Sequence, residues 1–419
     1  MMRKWISLAC GLLMLALLLS ACQDAPDANA DTETSGQGQS EVQTDSTTES
    51  NSQSSLQSDS QSDLPSESQP ETNTPTEPPT QTEQNTSTEP STEPLPPMPA
   101  GSIVSPREVG YTYPELQEDL SALAEQYSAH FSYQSIGQSV DGREIYACVV
   151  GNPNAPKKIM ITGGIHGREY LSSLLVMTQI EYYLSNYETG SYNGLAYADM
   201  FEQFAFYVLP MINPDGIMLA LCGIESVQTP AVRETLEGIF ADNKEDGLTS
   251  AGNINDYFAY NWKSNANGVD LNRNFALSNW EDVKTGILLP CFRNYKGPRA
   301  ASEPETQAVS TYVQSLGEIE CMLAFHTAGQ VVYWDCGMTG GVREETYELA
   351  QAVCEHTGYQ FIYDTHLDAS LNDWMTLELG IPTVTVELAN VGYPMPTSEL
   401  AAAWAQAGEL WAVSAKLFG

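Results

Sequence analysis

Apolar runs of strand length alternate with segments of helical spacing through most of this 419-residue chain. Leu116, Leu120, Leu123 and Ala124 share one face of a helix expected over 113–127. Residues 131–138 and 144–150 read as two strands around the turn-forming Asp141-Gly142. Further strands are expected over 159–162, 204–211, 322–325 and 382–388. Helices are expected over 170–184, 302–316, 344–356 and 399–417, with Ser302 and Glu305 as a capping box. Asn213-Pro214-Asp215-Gly216 reads as a turn, and the polar stretch from there to about Gly268 as a long loop. This alternation implies one α/β domain over 106–419. Its sheet is mixed, mostly parallel and twisted, and helices cover both faces. In open sheets of that kind ligands bind beyond the strand ends. His166, Asn213, His326 and Glu387 all fall at or just after the end of an expected strand.

The first hundred residues are unsuited to that core. Residues 1–22 hold Arg3 and Lys4, an apolar run from about Trp5 to Leu19, and small residues before Cys22. This is the pattern of a secretory signal, and the run is too short and wrongly flanked to span a membrane stably. Leu19-Ser20-Ala21-Cys22 looks like a bacterial lipobox, which implies lipidation of Cys22 and anchorage on the extracellular face of the cell membrane. Residues 23–105 are rich in Ser, Thr, Gln and Pro. They carry fifteen acids between Asp24 and Glu93, with no Lys or Arg through residue 100. Such a segment buries too little apolar surface to offset its ordering entropy and is expected to be a disordered, extended tether.

The chain has 54 acids; less the fifteen of the tether, 39 remain against 15 basic residues, so the domain carries about −24. That charge argues against nucleic acid and against docking on an anionic membrane, leaving the lipid as the only membrane contact. Six cysteines belong to the domain: Cys148, Cys222, Cys291, Cys321, Cys336 and Cys354. Their spacing selects no pairing, and without a Cys-x-x-Cys they suggest no thiolate zinc site.

The chemistry gathers at the strand ends. Gly163-Gly164 closes an apolar run, and His166 and Glu169 follow, three residues apart, at the head of a helix-length segment. That spacing brings an imidazole nitrogen and a carboxylate toward one metal ion. His326 stands at the end of another buried run, and two imidazoles with a carboxylate form the ligand set of a catalytic zinc. Glu387 is a carboxylate embedded in the apolar string Thr383-Val384-Thr385-Val386-Glu387-Leu388, where a charge needs a partner or a purpose.

Over roughly residues 111–418 the chain resembles the zinc carboxypeptidases of the carboxypeptidase A type. The matching strings include Gly164-Ile165-His166-Gly167-Arg168-Glu169, Asn213-Pro214-Asp215-Gly216, Gly268-Val269-Asp270-Leu271-Asn272-Arg273-Asn274-Phe275, Phe325-His326 and Val386-Glu387-Leu388, in the family's order. The resemblance implies one zinc per chain on His166, Glu169 and His326, with Asp270 orienting the first imidazole and Glu387 as general base. It implies that Asn272 and Arg273 bind a substrate's terminal carboxylate and that Arg168 meets further substrate residues. Lys263, in Asn261-Trp262-Lys263-Ser264-Asn265, stands where the family has an oxyanion-stabilising Arg. This string is similar to the bacterial branch that cleaves γ-D-glutamyl–diamino acid bonds, so a peptidoglycan stem peptide is the expected substrate. The family's substrate-covering tyrosine falls on Thr365 by ungapped counting and on Tyr363, the preferred assignment, with two inserted residues. Asn372, just before Asp373-Trp374, matches the side-chain pocket position. A broad carboxypeptidase on L-peptides, a deacylase and a non-catalytic binding module on the same fold remain the alternatives.

Overall fold

The computed structural model describes residues 103–105, 110–363 and 365–419. The expected signal, Cys22 and the tether up to residue 102 lie outside the described residues. One sheet contains β1 (Phe131–Gln138), β2 (Glu144–Gly151), β3 (Lys157–Thr162), β4 (Phe204–Leu209), β5 (Cys321–Thr327), β6 (Val331–Tyr333), β7 (Gln360–Ile362) and β8 (Thr383–Leu388). Their spatial order is β1-β2-β4-β3-β5-β8-β6-β7. The contacts β4–β3, β3–β5, β5–β8 and β6–β7 are parallel, and the other three are antiparallel. The sheet is thus mixed and mostly parallel, as the sequence implied.

Around it run α1 (Tyr113–Gln126), α2 (Tyr170–Ser185), α3 (Tyr197–Gln203), α4 (Pro214–Cys222), α5 (Pro230–Glu245), α6 (Ile254–Asn261), α7 (Pro304–Leu316), α8 (Gly341–Thr357), α9 (Leu400–Ala407) and α10 (Leu410–Phe418). The central strands are apolar at nearly every position because both of their faces are covered. Ile159, Ile161, Leu323, Phe325, Val384 and Val386 enter one core with side chains of α2, α8, α9 and α10. Met160, Met322 and Ala324, the alternate positions, enter the other with Val309 and Val313 of α7.

Four sequence expectations change. Asn213-Pro214-Asp215-Gly216 is the start of α4 rather than a free turn: Asn213 accepts the Gly216 amide at 2.8 Å and Pro214 opens the helix. The stretch expected as loop holds α5 and α6, started by Pro230 and by Asn253, whose side chain accepts the Asp256 amide. The Ser302–Glu305 capping box does not form. Ser302 Oγ instead donates to Glu303 Oε1 at 2.6 Å and accepts from Asn274 Nδ2 at 2.9 Å, while Glu305 turns inward. The closing helix is also broken, because Gly408 separates α9 from α10.

Parallel pairing brings the C-terminal ends of β3, β5 and β8 to one edge. His326 in β5 is the register partner of Glu387 in β8, so both side chains leave the same face. His166 and Glu169 follow β3, and Gly164 makes the bend with φ 63°, where a Cβ would meet Ser173 Oγ at 2.2 Å.

Beneath this edge, Glu305 is fully buried and accepts from the Val140 amide at 3.1 Å and from Asn265 Nδ2 at 3.0 Å. Burial, and then the Asp215 carboxylate nearby, pushes its carboxyl up to about 8. The folded chain therefore keeps a proton that an unfolded glutamate releases near about pH 4.3. This contribution to stability is complete below the unfolded value and is lost as pH rises through about 8. Glu305→Gln stays neutral at every pH. Between about pH 6 and pH 9 the parent's melting temperature should fall further than the variant's, read by circular dichroism. Parallel pH profiles would refute the assignment.

Candidate metal centre and substrate cleft

The two imidazoles converge on one carboxylate. His166 Nδ1 is 2.9 Å from Glu169 Oε1, and His326 Nδ1 is 3.0 Å from Glu169 Oε2. All three side chains are buried, and their ligand atoms lie within 4.8 Å of one another. Two imidazole nitrogens and a carboxylate in that compass fit a zinc ion and leave room for a further ligand. The opposite nitrogen of His166 is 3.2 Å from Asp270 Oδ1, which orients the ring with Nδ1 toward the centre. Asp270 is itself fixed by the Asn272 and Asn294 amides at 3.1 and 2.9 Å.

Charge at the centre is balanced locally. Burial pulls the Glu169 carboxyl upward, but His166 and then Lys263 outweigh it and hold it well below the usual range. Lys263 Nζ is 3.0 Å from Glu169 Oε1. Asp270 is likewise held low, burial being overcome mainly by His166. Glu387 goes the other way: burial first, and then the neighbouring Glu169, push it up to about 7. Its Oε2 is buried and has no hydrogen-bond partner among the protein groups around it.

One cleft joins these groups. His166, His326, Lys263 and Glu387 line it together with Asn272, Arg273 and Asn372. Asn272 Oδ1 accepts the Leu371 amide at 3.0 Å, which ties the two loops that form this wall. Arg168 is not among the lining residues. Its Nη1 donates to the Tyr260 carbonyl at 3.2 Å, and its guanidinium lies over the Tyr393 ring, 4.0 Å from the centroid. Tyr363 also lies off the cleft lining, 61% exposed, with its ring 5.8 Å from that of Trp334. Sequence reasoning passed over Asp368, which pairs with Arg273 at 3.0 Å, and Tyr393, whose hydroxyl meets Thr327 beside His326. A carboxylate in the polar loop just before Asp373-Trp374 was the available signal for Asp368; Tyr393 had none. All six cysteines of the domain are free, so no disulfide shapes the cleft.

A family model of zinc carboxypeptidases matches residues 116–409. The chain belongs to the zinc carboxypeptidase family. It is a zinc metallopeptidase by membership, and the His166–Glu169–His326 group gives it a place for the ion. Among its relatives, gamma-D-glutamyl-L-diamino acid endopeptidase 1 of Lysinibacillus sphaericus is 29% identical over 291 residues, 69% of this chain and 68% of that protein. The uncharacterized protein YqgT of Bacillus subtilis is 30% identical over 285 residues, covering 67% and 71%. Carboxypeptidase B of Astacus astacus is 25% identical over 309 residues, covering 69% and 90%. Thrombin activatable fibrinolysis inhibitor superposes with a TM-score of 0.58 at 19% identity over 74% of each chain, which speaks to the fold alone.

The geometry sets a metal prediction. After mild purification, elemental analysis should find near one zinc per chain, and His326→Ala should lose most of it while keeping its far-ultraviolet spectrum. Full zinc in that variant would remove His326 from the ligand set.

Proposed function

We propose that the chain hydrolyses a peptide bond one residue from a free carboxylate, on cell-wall stem peptides, at the bond between γ-D-glutamate and a diamino acid. The observation that carries the hydrolytic reading is the orphaned, buried Glu387 Oε2, set beside His326 in a cleft that also holds Arg273. When bound on His166, Glu169 and His326, zinc supplies an acidified water and polarises the scissile carbonyl. Glu387 accepts the water's proton at Oε2 and delivers it to the leaving amine, a role that suits a carboxylate raised toward neutrality. Lys263 offers a positive charge to the developing oxyanion as a single point rather than a fork. Asn272 and the Arg273 guanidinium hold the leaving residue's carboxylate, and Arg168, on its Tyr393 platform outside the cleft lining, is left for substrate residues that reach beyond the cleft.

The cell-wall substrate draws support from the Lysinibacillus relative, which is named for that bond, and from the Trp262-Lys263-Ser264-Asn265 string. Cleavage of a diaminopimelate-containing muropeptide should exceed that of matched L-peptides. Glu387→Gln should lower the rate by about 10²- to 10⁴-fold, the range for losing a general base, with zinc content unchanged. Cleavage of L-peptides alone would replace the cell-wall reading with a broad carboxypeptidase. Turnover of the variant near the parent's would take Glu387 out of the mechanism.

The proposed location is the extracellular face of the membrane, through lipid on Cys22, with the segment from residue 23 as the tether; its expected end at 105 is too late, because the Ile103 and Val104 amides donate to Glu181 at 2.8 Å and Val104 is buried in the core. Among the described residues no helix is long and apolar enough to cross a membrane. Cys22→Ala should move the protein from the membrane fraction to the soluble one or leave it unprocessed. A mature N-terminus elsewhere, read by mass spectrometry, would overturn this.

A further inference from the structure

Arg273, the proposed clamp for a substrate carboxylate, already bonds an internal one. Its Nη2 is 3.0 Å from Asp368 Oδ2, and its Nη1 donates to the Asn272 carbonyl at 2.8 Å. A carboxylate brought by a substrate therefore competes with Asp368 for the same guanidinium. The two other acids on this wall have fixed structural partners. Asp373 accepts the Asp368 and Ser370 amides at 2.9 and 3.1 Å. Asp335 accepts the Gly337 amide at 2.7 Å and Arg343 Nε at 3.1 Å. Asp368 differs in being one-third exposed, and its other oxygen is 3.6 Å from His366 Nε2.

Asn372 is an independent sign. Its Oδ1 is sealed from water on the same cleft and accepts no hydrogen bond. A buried acceptor in that state favours a ligand bearing N–H donors. An aliphatic side chain entering here would leave Asn372 unsatisfied, and its carboxylate would separate Arg273 from Asp368 without supplying a replacement cation.

We propose that Asp368 is a specificity-determining residue: a substrate's carboxylate takes Arg273 from it, and a cationic amine on the side chain of the same leaving residue takes Arg273's place. Recognition of the two charges is then coupled. A leaving residue with both groups exchanges one ion pair for two, whereas one with the carboxylate alone breaks a pair to make a pair. The inference rests on the reading of Arg273 as the carboxylate clamp and names the leaving residue's chemistry more closely.

Free L-lysine and L-norleucine, which differ chiefly in the terminal amine, test it by calorimetry on the zinc-loaded protein. Lysine should bind at least ~10-fold more tightly, the scale of one charge-assisted hydrogen bond. In Asp368→Asn the lysine-to-norleucine ratio should shrink by at least ~3-fold, Asn372 supplying what preference is left, with norleucine held no more weakly than by the parent, because Arg273 has lost its competitor. Equal affinities in the parent would overturn the proposal with no variant needed, and so would an undiminished lysine preference in Asp368→Asn. Should that variant fail to fold, Asp368→Glu, which keeps the charge, should keep the preference; its loss there would count against the proposal. Kinetics on peptides ending in lysine or norleucine, made with γ-D-glutamyl and with α-L-peptidyl donors, keep the readings apart. Cleavage of the L series alone ends the cell-wall reading and still reports the lysine-to-norleucine ratio. Cleavage of the γ-D-glutamyl series without an amine preference ends the Asp368 proposal only.

Discussion

Glu169 is 1% exposed, yet the groups around it keep it ionised. Desolvating a carboxylate to this degree is costly unless several donors meet it. His166, His326 and Lys263 surround its two oxygens, and the Thr327 amide adds a contact at 3.2 Å. These donors come from three places in the chain: the turn after β3, the end of β5 and the loop after α6. The start of α2, where Glu169 sits, adds a favourable end of the helix dipole. A carboxylate that needs partners from three segments fixes how those segments meet, and the same convergence presents two imidazole nitrogens to a metal.

The sheet and the loops divide the work. His326 and Glu387 are register partners on neighbouring parallel strands, so their separation is set by backbone hydrogen bonds and resists change. Lys263, Asn272 and Arg273 ride on loops, and buried asparagines hold those loops in place. Asn213 Nδ2 reaches the carbonyls of Ile165, Lys263 and Ser264, tying the His166 turn to the Lys263 segment. Asn265 bonds Glu303 and Glu305, and Asn274 bonds the carbonyls of Lys296 and Arg299. Amide side chains suit this task because they donate and accept at once without adding charge near a centre already crowded with it.

That division explains what the sequence revealed. The strands bearing His326 and Glu387 were legible because burial on both faces leaves an apolar run in which one polar residue stands out. The motifs around Asn213, Asp270 and Asn274 were legible as strings, but their work as loop staples depends on contacts between residues dozens of positions apart. β6 and β7 were missed because three-residue strands carry too little pattern to separate from loop. α5 and α6 were missed because their exposed, charged faces masked a small apolar stripe, Leu236 and Ile239 in one and Tyr257 and Phe258 in the other. The Ser302–Glu305 pattern misled for a tertiary reason. Asn265 and the Val140 amide both seek the Glu305 carboxyl, and two buried donors outweigh one helix cap.

The same division bears on how a single scaffold serves several substrates. The sheet holds His326, a proposed metal ligand, and Glu387, the proposed base, in one register, so backbone pairing fixes their placement. Arg273, Asp368 and Asn372 line the cleft outside those strands, Arg273 on a 3-10 turn and Asn372 in a short helix, and on our proposal they decide what enters it. Relatives named as a gamma-D-glutamyl-L-diamino acid endopeptidase and as a carboxypeptidase B stand at similar distances from this chain, 29% and 25% identical. An identity that low, spread over a common fold, leaves the core chemistry recognisable while the walls of the cleft diverge. The carboxylate end of a substrate needs only a guanidinium, which any such wall provides with one residue. The far end of its side chain must be met by whichever acceptors the loops leave unpaired. In this chain the buried oxygen of Asn372 has no partner and Asp368 lines the same cleft, and our proposal assigns that task to them.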